Sequence, residues 1–293
     1  GAHRKGQLGR EPALVKLRDQ GSAHAIGHGP ADQDSDRDHI QIMEILCAYV
    51  RENAKAPSLA PDNDQDGPFF PRSDVQMAID VIKRRADAQV AIETSQKYRL
   101  DLRRTDFRGT DLSRGRFRGA LLAECRFEFS RMRGADFSGA VFDRSVLSYV
   151  DGGLVKFIGA SMNFCRIDKP EPTIGGFAIN FSLGDITGLS LVASNITALD
   201  YIGDGSQPTF GTKDTQLEEE LDEQRSHGIK TVQHISKLEC IGKHEGAATL
   251  RKEIKNNPFV HWSKFDSRDM ATVLLLEEFR ESINLSGWPY DNN

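Results

Sequence analysis

Large apolar residues recur at every fifth position through the middle third of the chain, beginning at Leu102. Two positions before each of them, the residue is small in most repeats. A period of five fits neither the 3.6-residue repeat of a helix nor the two-residue repeat of a strand. It suits a chain that runs straight for a few residues and then turns a corner, so that four such sides close one coil. The apolar positions of the first coils are Leu102, Phe107, Leu112, Phe117, Leu122, Phe127, Met132, Phe137, Phe142 and Leu147.

Positions one coil apart, such as Phe117 and Phe137, should stack on successive coils at the strand spacing of about 4.8 Å. After residue 177 one residue is missing from the period, and the count resumes at Phe181 and continues to Tyr201. The sequence therefore predicts a mainly β fold, a four-sided parallel β-helix over residues 98–204. Its structural core ladder is predicted to contain Phe117, Phe137, Phe157 and Phe177.

The apolar spacing on both sides of the repeats is helical. Ser35 or Asp36 can cap a first helix, and a second helix is predicted from Ser73 or Asp74 to about Ser95. A third is predicted between residues 266 and 283. The predicted buried stripe of the first helix is Ile42, Met43, Ile45, Leu46, Tyr49 and Val50, and that of the second is Val75, Ala78, Ile79 and Ile82.

An open coil exposes an unpaired edge that invites aggregation, so the flanking helices are expected to cap both ends of the solenoid. We divide the chain into four parts on this basis. Residues 1–34 are a poorly ordered or loosely helical N-terminus, and residues 35–97 are a helical capping segment. Residues 98–204 form the β-helix, and residues 205–293 hold a charged insert and a C-terminal helical cap.

The runs Ala135-Asp-Phe-Ser-Gly139 and Thr110-Asp-Leu-Ser-Arg114 resemble the consensus of the pentapeptide-repeat family. Residues 36–52 and 74–85 resemble the helical segment that precedes the repeats in bacterial members. The resemblance implies a right-handed quadrilateral β-helix with α-helical flanking segments. In one group of the family, associated with quinolone resistance, it also implies mimicry of DNA and binding to DNA gyrase.

The sequence contains no catalytic motif: no Walker loop, no GxGxxG, no nucleophile elbow and no His-Glu-x-x-His. The recurring Asp residues belong to the repeat and should face outward. Cys240 and His244 have the i,i+4 spacing of two ligands on one helix, but no second close pair accompanies them. We therefore predict no enzyme activity, no cofactor, no metal and four free thiols. Because no signal peptide is visible and no apolar run approaches the length of a membrane span, a cytoplasmic location and no membrane span are expected.

Charge is the one indication of function. The formal net charge is −5, yet residues 97–133 contain 11 basic and five acidic residues, a net charge of +6. These arginines flank inward positions, so they should point outward and either solubilise the surface or bind an anionic partner. The predicted partner surface comprises Arg103, Arg104, Arg108, Arg114, Arg116, Arg118, Arg131 and Arg133.

Two functions remain open. The first is a non-enzymatic scaffold for protein–protein interaction, whose partner has an acidic surface. The second is the DNA-mimic type of gyrase binder that the resemblance implies. Nucleic acid is a less favoured partner because no aromatic residues interleave with the arginines. The oligomeric state stays open between monomer and dimer.

Overall fold

The computed structural model describes residues 30–57, 69–167, 186–196, 207–217, 219–255, 257 and 259–290. Within these ranges, helices flank a column of short parallel pairings. The first helices are α1 (Pro30–Asn53), α2 (Ser73–Lys83) and α3 (Asp87–Ser95). The strands are β1 (Arg166–Ile167), β2 (Asn195–Ile196) and β3 (Gln216–Leu217), which form one parallel sheet in that order. The last helices are α4 (Glu219–Cys240), α5 (His244–Glu253) and α6 (Met270–Ser282).

The column is a repeat solenoid, and its register is constant from Asp101 to Arg166. Parallel bridges join Asp101 to Leu121 and continue at the same spacing as far as Val146 and Arg166. The large residue at the centre of each repeat is buried, with 0–1% of its surface exposed from Leu102 to Ile167 wherever it is apolar. The small residues two positions earlier are buried as well. The predicted solenoid is confirmed, and so are its inward positions from Leu102 to Ile167.

The recurring aspartates stabilise the turns between successive sides of the coil. In Asp111 and Asp136 the carboxylate accepts a hydrogen bond from the backbone N–H two residues later, at 2.9 and 3.0 Å. This Asx arrangement fixes the tight turn between two sides. The residue at the corner has a positive φ, as in Arg104 (57°) and Gly109 (67°). The Asp of the repeat is therefore a structural residue, since its side chain satisfies the turn.

The register changes at two places: by nine positions after Ile167, and by one position after Phe210, because Asn195 pairs with Gln216, 21 positions on. Ser161 pairs with Ser190, whereas the earlier spacing would pair it with position 181, and Ser190 then pairs with Phe210 at the usual spacing. Nine extra positions therefore lie between Ile167 and Ile186, in a stretch that is outside the described residues. Because Gly159 N–H donates to the carbonyl of Thr187, Ile186 occupies the level above Phe157.

The predicted core ladder therefore needs a correction at its last member. Phe117, Phe137 and Phe157 stack with centroid separations of 5.1 and 5.6 Å. Phe177 lies outside the described residues. Ile186 lies next to Phe157 in the following coil, where the prediction placed Phe177. A strict count of fives cannot register a nine-residue insertion. The pairing also extends past residue 204, where we expected the repeats to end, because β3 adds a further level at residues 216–217.

The N-terminal helices contact the first coil. Residue 55 forms an antiparallel bridge with Thr105, and Asp106 N–H donates to the Ala54 carbonyl at 2.7 Å. The predicted stripe of α2 is buried as expected. The predicted second helix is nevertheless broken at residues 84–86, where Arg85 turns inward. There Arg85 forms a buried ion pair with Glu93, which also binds His39 of α1.

The buried face predicted for α1 is only partly correct. Met43 and Val50 are buried, but Ile42, Ile45 and Tyr49 are exposed at 51%, 67% and 38%. The buried side of the helix is centred on Met43, Cys47 and Val50, where α1 meets α2, α3 and the first coil. The other apolar side chains lie on a flank of the helix that these neighbours do not cover.

The last coil is covered by residues 259–262. Phe259 and Trp262 belong to the same apolar cluster as the coil interior. The Trp262 ring lies over Gly211, where a Cβ would come within 2.5 Å of it, and its indole N–H donates to Thr209 Oγ1 at 3.2 Å. Helix α6 packs through Phe279 against Phe210, with ring centroids 5.7 Å apart.

The C-terminal residues 283–290 then run back along the solenoid. They lie against a row of glycines with positive φ, one from each coil: Gly119, Gly139, Gly159 and Gly188. Pro289 covers Gly139 and Tyr290 covers Gly159. Since a side chain at these glycines would collide with the tail, their small size makes this contact possible.

None of the helices in the described residues combines the length and the apolar character that a membrane span requires.

Candidate functional site

The eight predicted partner-binding arginines lie on all four sides of the coil. We name each side after its first inward residue: the Leu102, Phe107, Leu112 and Phe117 faces. Positions one full coil apart share a face, because the bridges keep that register. Arg103 and Arg104 lie on the Leu102 face, Arg108 lies on the Phe107 face, and Arg116 and Arg118 lie on the Phe117 face. One flat partner surface therefore cannot contact all eight.

Several of these arginines pair with carboxylates of the protein itself. Arg103 binds Asp101 through two nitrogens, at 2.8 and 2.9 Å. The bidentate hydrogen bonds from Arg103 hold the pKa of the Asp101 carboxyl below its ordinary value. Arg104 pairs with Glu124 at 2.8 Å. These two pairs leave the net charge of residues 97–133 unchanged, because both carboxylates are already counted in it, but they occupy Arg103 and Arg104.

Arg108 and Arg116 are also paired. Arg108 binds Asp106 at 2.7 Å, and its guanidinium lies 4.2 Å from the centroid of the Phe69 ring. Arg116 pairs with Asp87 at the start of α3. Both side chains thus tie the solenoid to the N-terminal segment, which is a structural role.

Three of the predicted arginines share the Leu112 face: Arg114, Arg131 and Arg133. We call them the arginine triplet. All three are exposed on the Leu112 face. Arg114 lies beside Gly134 and Arg133 beside Gly153, 3.8 Å from the positions that Cβ atoms would take. These glycines leave room for the arginine stems to lie along the wall.

Two of the three arginines have no ion-pair partner in the described part of the chain. Among the described residues, Arg114 and Arg133 form no ion pair, and Arg131 approaches Asp111 only to 3.6 Å. Leu154, 45% exposed, lies on the same face one coil further. Arg118 is exposed and unpaired within the described ranges as well, but it stands alone on the Phe117 face.

The described residues contain no group of three or more His, Cys, Asp or Glu that could hold a metal ion. The i,i+4 interpretation of Cys240 and His244 is wrong, because α4 ends at Cys240 and α5 begins at His244. All four cysteines are free, and only Cys240 is exposed. Burial raises the pKa of the Cys47 thiol to about 12, so it is not a reactive thiolate.

Sequence reasoning missed a cleft outside the solenoid. The Cα atoms of helices α4 and α6 stay more than 8 Å apart, and residues 260–265 line the space between the two helices. The resulting cleft has a volume of about 730 Å³. The spacing of Ile229, Val232 and Ser236 along one side of α4 is the signal that could have indicated it.

Comparison with known proteins identifies the repeat. The family model described as "Pentapeptide repeats" matches residues 101–139 in eight copies. The pentapeptide-repeat prediction is therefore confirmed. None of the curated proteins compared with this chain matches it.

Two solved structures illustrate the similarity. HetL, a pentapeptide repeat protein involved in heterocyst differentiation regulation from the cyanobacterium Nostoc sp. strain PCC 7120, is 18% identical, with a TM-score of 0.18. The match covers 41% of this chain and 58% of HetL. A trypsin-treated variant of QnrB1, a plasmid-mediated fluoroquinolone resistance protein, is 12% identical, with a TM-score of 0.22. That match covers 43% of this chain and 87% of QnrB1. This chain thus spans somewhat more than half the length of HetL.

Proposed function

We propose that this chain, which carries the repeats of the pentapeptide-repeat family, is a non-catalytic module that binds an acidic protein surface. The observation that carries the proposal is the arginine triplet on the Leu112 face. Three long cationic side chains stand on a rigid backbone at fixed spacing, and the protein's own carboxylates leave them largely unpaired. Exposed like charges of this kind are expected to steer an anionic partner and to set its register.

The flanking segments favour a wall over an end as the binding surface. We propose that residues 35–97 and 205–293 act as caps on a right-handed β-helix. The pairing of residues 54–56 with the first coil and the seating of Trp262 on the last one support this role. With the ends occupied, a partner meets the side walls, and among the described residues the triplet places three exposed arginines on one of them. A cytoplasmic location agrees with the four free thiols but is likewise our proposal.

The test compares two variants with equal changes in charge. Arg114→Glu, Arg131→Glu and Arg133→Glu together invert the triplet. Arg103→Glu, Arg104→Glu and Arg144→Glu make the same six-unit change on the opposite face. Partners are captured from the native host by crosslinking and quantified by mass spectrometry at low and high salt. We expect the triplet variant to lose the salt-sensitive partner and the opposite-face variant to keep it.

Two results would contradict this proposal. Equal capture by both variants would remove the triplet from any binding role. Inhibition of gyrase supercoiling by the wild-type protein would instead favour the alternative, a DNA-mimic binder of DNA gyrase. We do not favour that alternative, because a DNA mimic needs a negative wall and the coils at 97–133 carry a net charge of +6. Thermal unfolding of both variants serves as a control, since exposed substitutions are expected to change stability by less than about 0.5 kcal/mol.

A further inference from the structure

The cleft between α4 and α6 has the size and lining of a ligand site. Its volume of about 730 Å³ falls within the range of roughly 300–1,000 Å³ that is usual for small-molecule sites. Helices α4 and α6 line two of its sides, and the segment 260–265 contributes the rings of His261, Trp262 and Phe265. The apolar lining residues are Ile229, Val232, Val260, Trp262, Phe265, Leu275 and Phe279.

The residues of α4 that line the cleft change from apolar to polar along the helix. Ile229 and Val232 are followed, on the same side of the helix, by Ser236 and Lys237. At about 1.5 Å per residue, the stretch from 229 to 237 is about 12 Å long. An elongated ligand would therefore meet apolar side chains at one end of α4 and an ammonium group at the other.

The charges at the cleft favour an anion. Lys237 and Lys264 both line it, and neither forms an ion pair with any described residue. The Lys264 ammonium instead lies 4.9 Å from the centroid of the Phe265 ring. Glu278 is the one carboxylate in the described lining. Burial lowers the pKa of His261, so its ring is neutral near pH 7 and adds no charge.

We propose that the cleft binds a medium-length acyl carboxylate, with its chain between α4 and α6 and its carboxylate at Lys237 and Lys264. The apolar walls favour the acyl chain of the ligand, because transfer of each methylene from water into an apolar site is favourable by about 0.8 kcal/mol. The two lysines explain the head group, because a charge-assisted hydrogen bond is roughly twice as strong as a neutral one. This site is independent of the arginine triplet, since the two lie on different parts of the chain.

The experiment uses the full chain and three probes with chains of about ten carbons: sodium decanoate, 1-decanol and decyltrimethylammonium. Trp288→Phe leaves Trp262, which lines the cleft, as the only tryptophan and therefore as a fluorescent reporter. Calorimetry gives the affinities independently. We expect decanoate to bind with one site, and at least about tenfold more tightly than decanol or the cation.

Variants then locate the site. Lys237→Gln with Lys264→Gln should weaken decanoate binding about tenfold and leave decanol binding unchanged. Ser236→Trp should fill the cleft and abolish binding of all three probes. Lys230→Gln is the matched control, because Lys230 is exposed on α4 but does not line the cleft.

Several outcomes would overturn the proposal. Equal affinity for the three probes would show that the head group is not recognised. Equal effects of Lys230→Gln and of the double lysine variant would place the carboxylate elsewhere. No saturable binding of decanoate, as expected if the cleft instead accepts a helix of a partner protein, would exclude the acyl ligand.

Discussion

Replacement of Phe137 by Ala tests the coil interior directly. The Phe137 ring is completely buried and stacks between Phe117 and Phe157, with centroid separations of 5.1 and 5.6 Å. It also meets Phe142 edge to face at 5.2 Å. The substitution therefore removes a buried ring and three aromatic contacts at once.

The magnitude follows from two contributions. Loss of the buried ring costs about 2 kcal/mol in transfer free energy. A cavity of roughly 100 Å³ costs about 2.4 kcal/mol more, at about 24 cal/mol per Å³. The coils above and below are fixed by ladder hydrogen bonds, such as Phe137 N–H to the Lys156 carbonyl at 2.8 Å, so the cavity cannot collapse. We expect the free energy of unfolding to fall by about 4–5 kcal/mol.

Urea denaturation followed by far-UV circular dichroism measures this loss. Phe164→Ala is the matched control, because it deletes the same ring at a solenoid position that is 50% exposed. We expect that control to cost less than about 1 kcal/mol. Equal losses for the two variants would refute the assignment of inward positions and, with it, the stacked interior of the solenoid.

Three further predictions follow from burial, charge and close contact. A thiol reagent should label one cysteine in the native protein, the exposed Cys240, and four after unfolding; labelling of two or more in the native state would contradict the buried positions. The lowered pKa of Asp101 contributes stability above its unfolded pKa of about 3.9, so acid titration of the unfolding free energy should show a loss as the pH falls through the lower folded pKa. Gly139→Ala places a Cβ 2.6 Å from Pro289 and should release the C-terminal tail to proteolysis, whereas Gly134→Ala, with the same positive φ but no atom nearer than 3.8 Å, should not.

The sequence by itself determined the coil and its interior. The side chains that face inward are set by a local rule, the five-residue spacing between corners, and each repeat obeys it independently of distant residues. For this reason Phe137 and the small residues at the corners could be assigned before any coordinates were known. The buried stripe of α2 was predictable on the same ground, because an apolar face with a 3.6-residue period must be covered.

Only the tertiary structure decided which outward surfaces remain open. The arginines of residues 97–133 appear as one basic block in the sequence, but the coil distributes them over four faces, and distant carboxylates such as Asp87 neutralise some of them. The exposure of Ile42, the position of Ile186 above Phe157 and the cleft beside α4 likewise depend on segments that do not repeat. The physical reason is that a short period fixes local geometry, whereas covering a wall or an end requires contacts between residues far apart in the chain, and no periodic pattern records them.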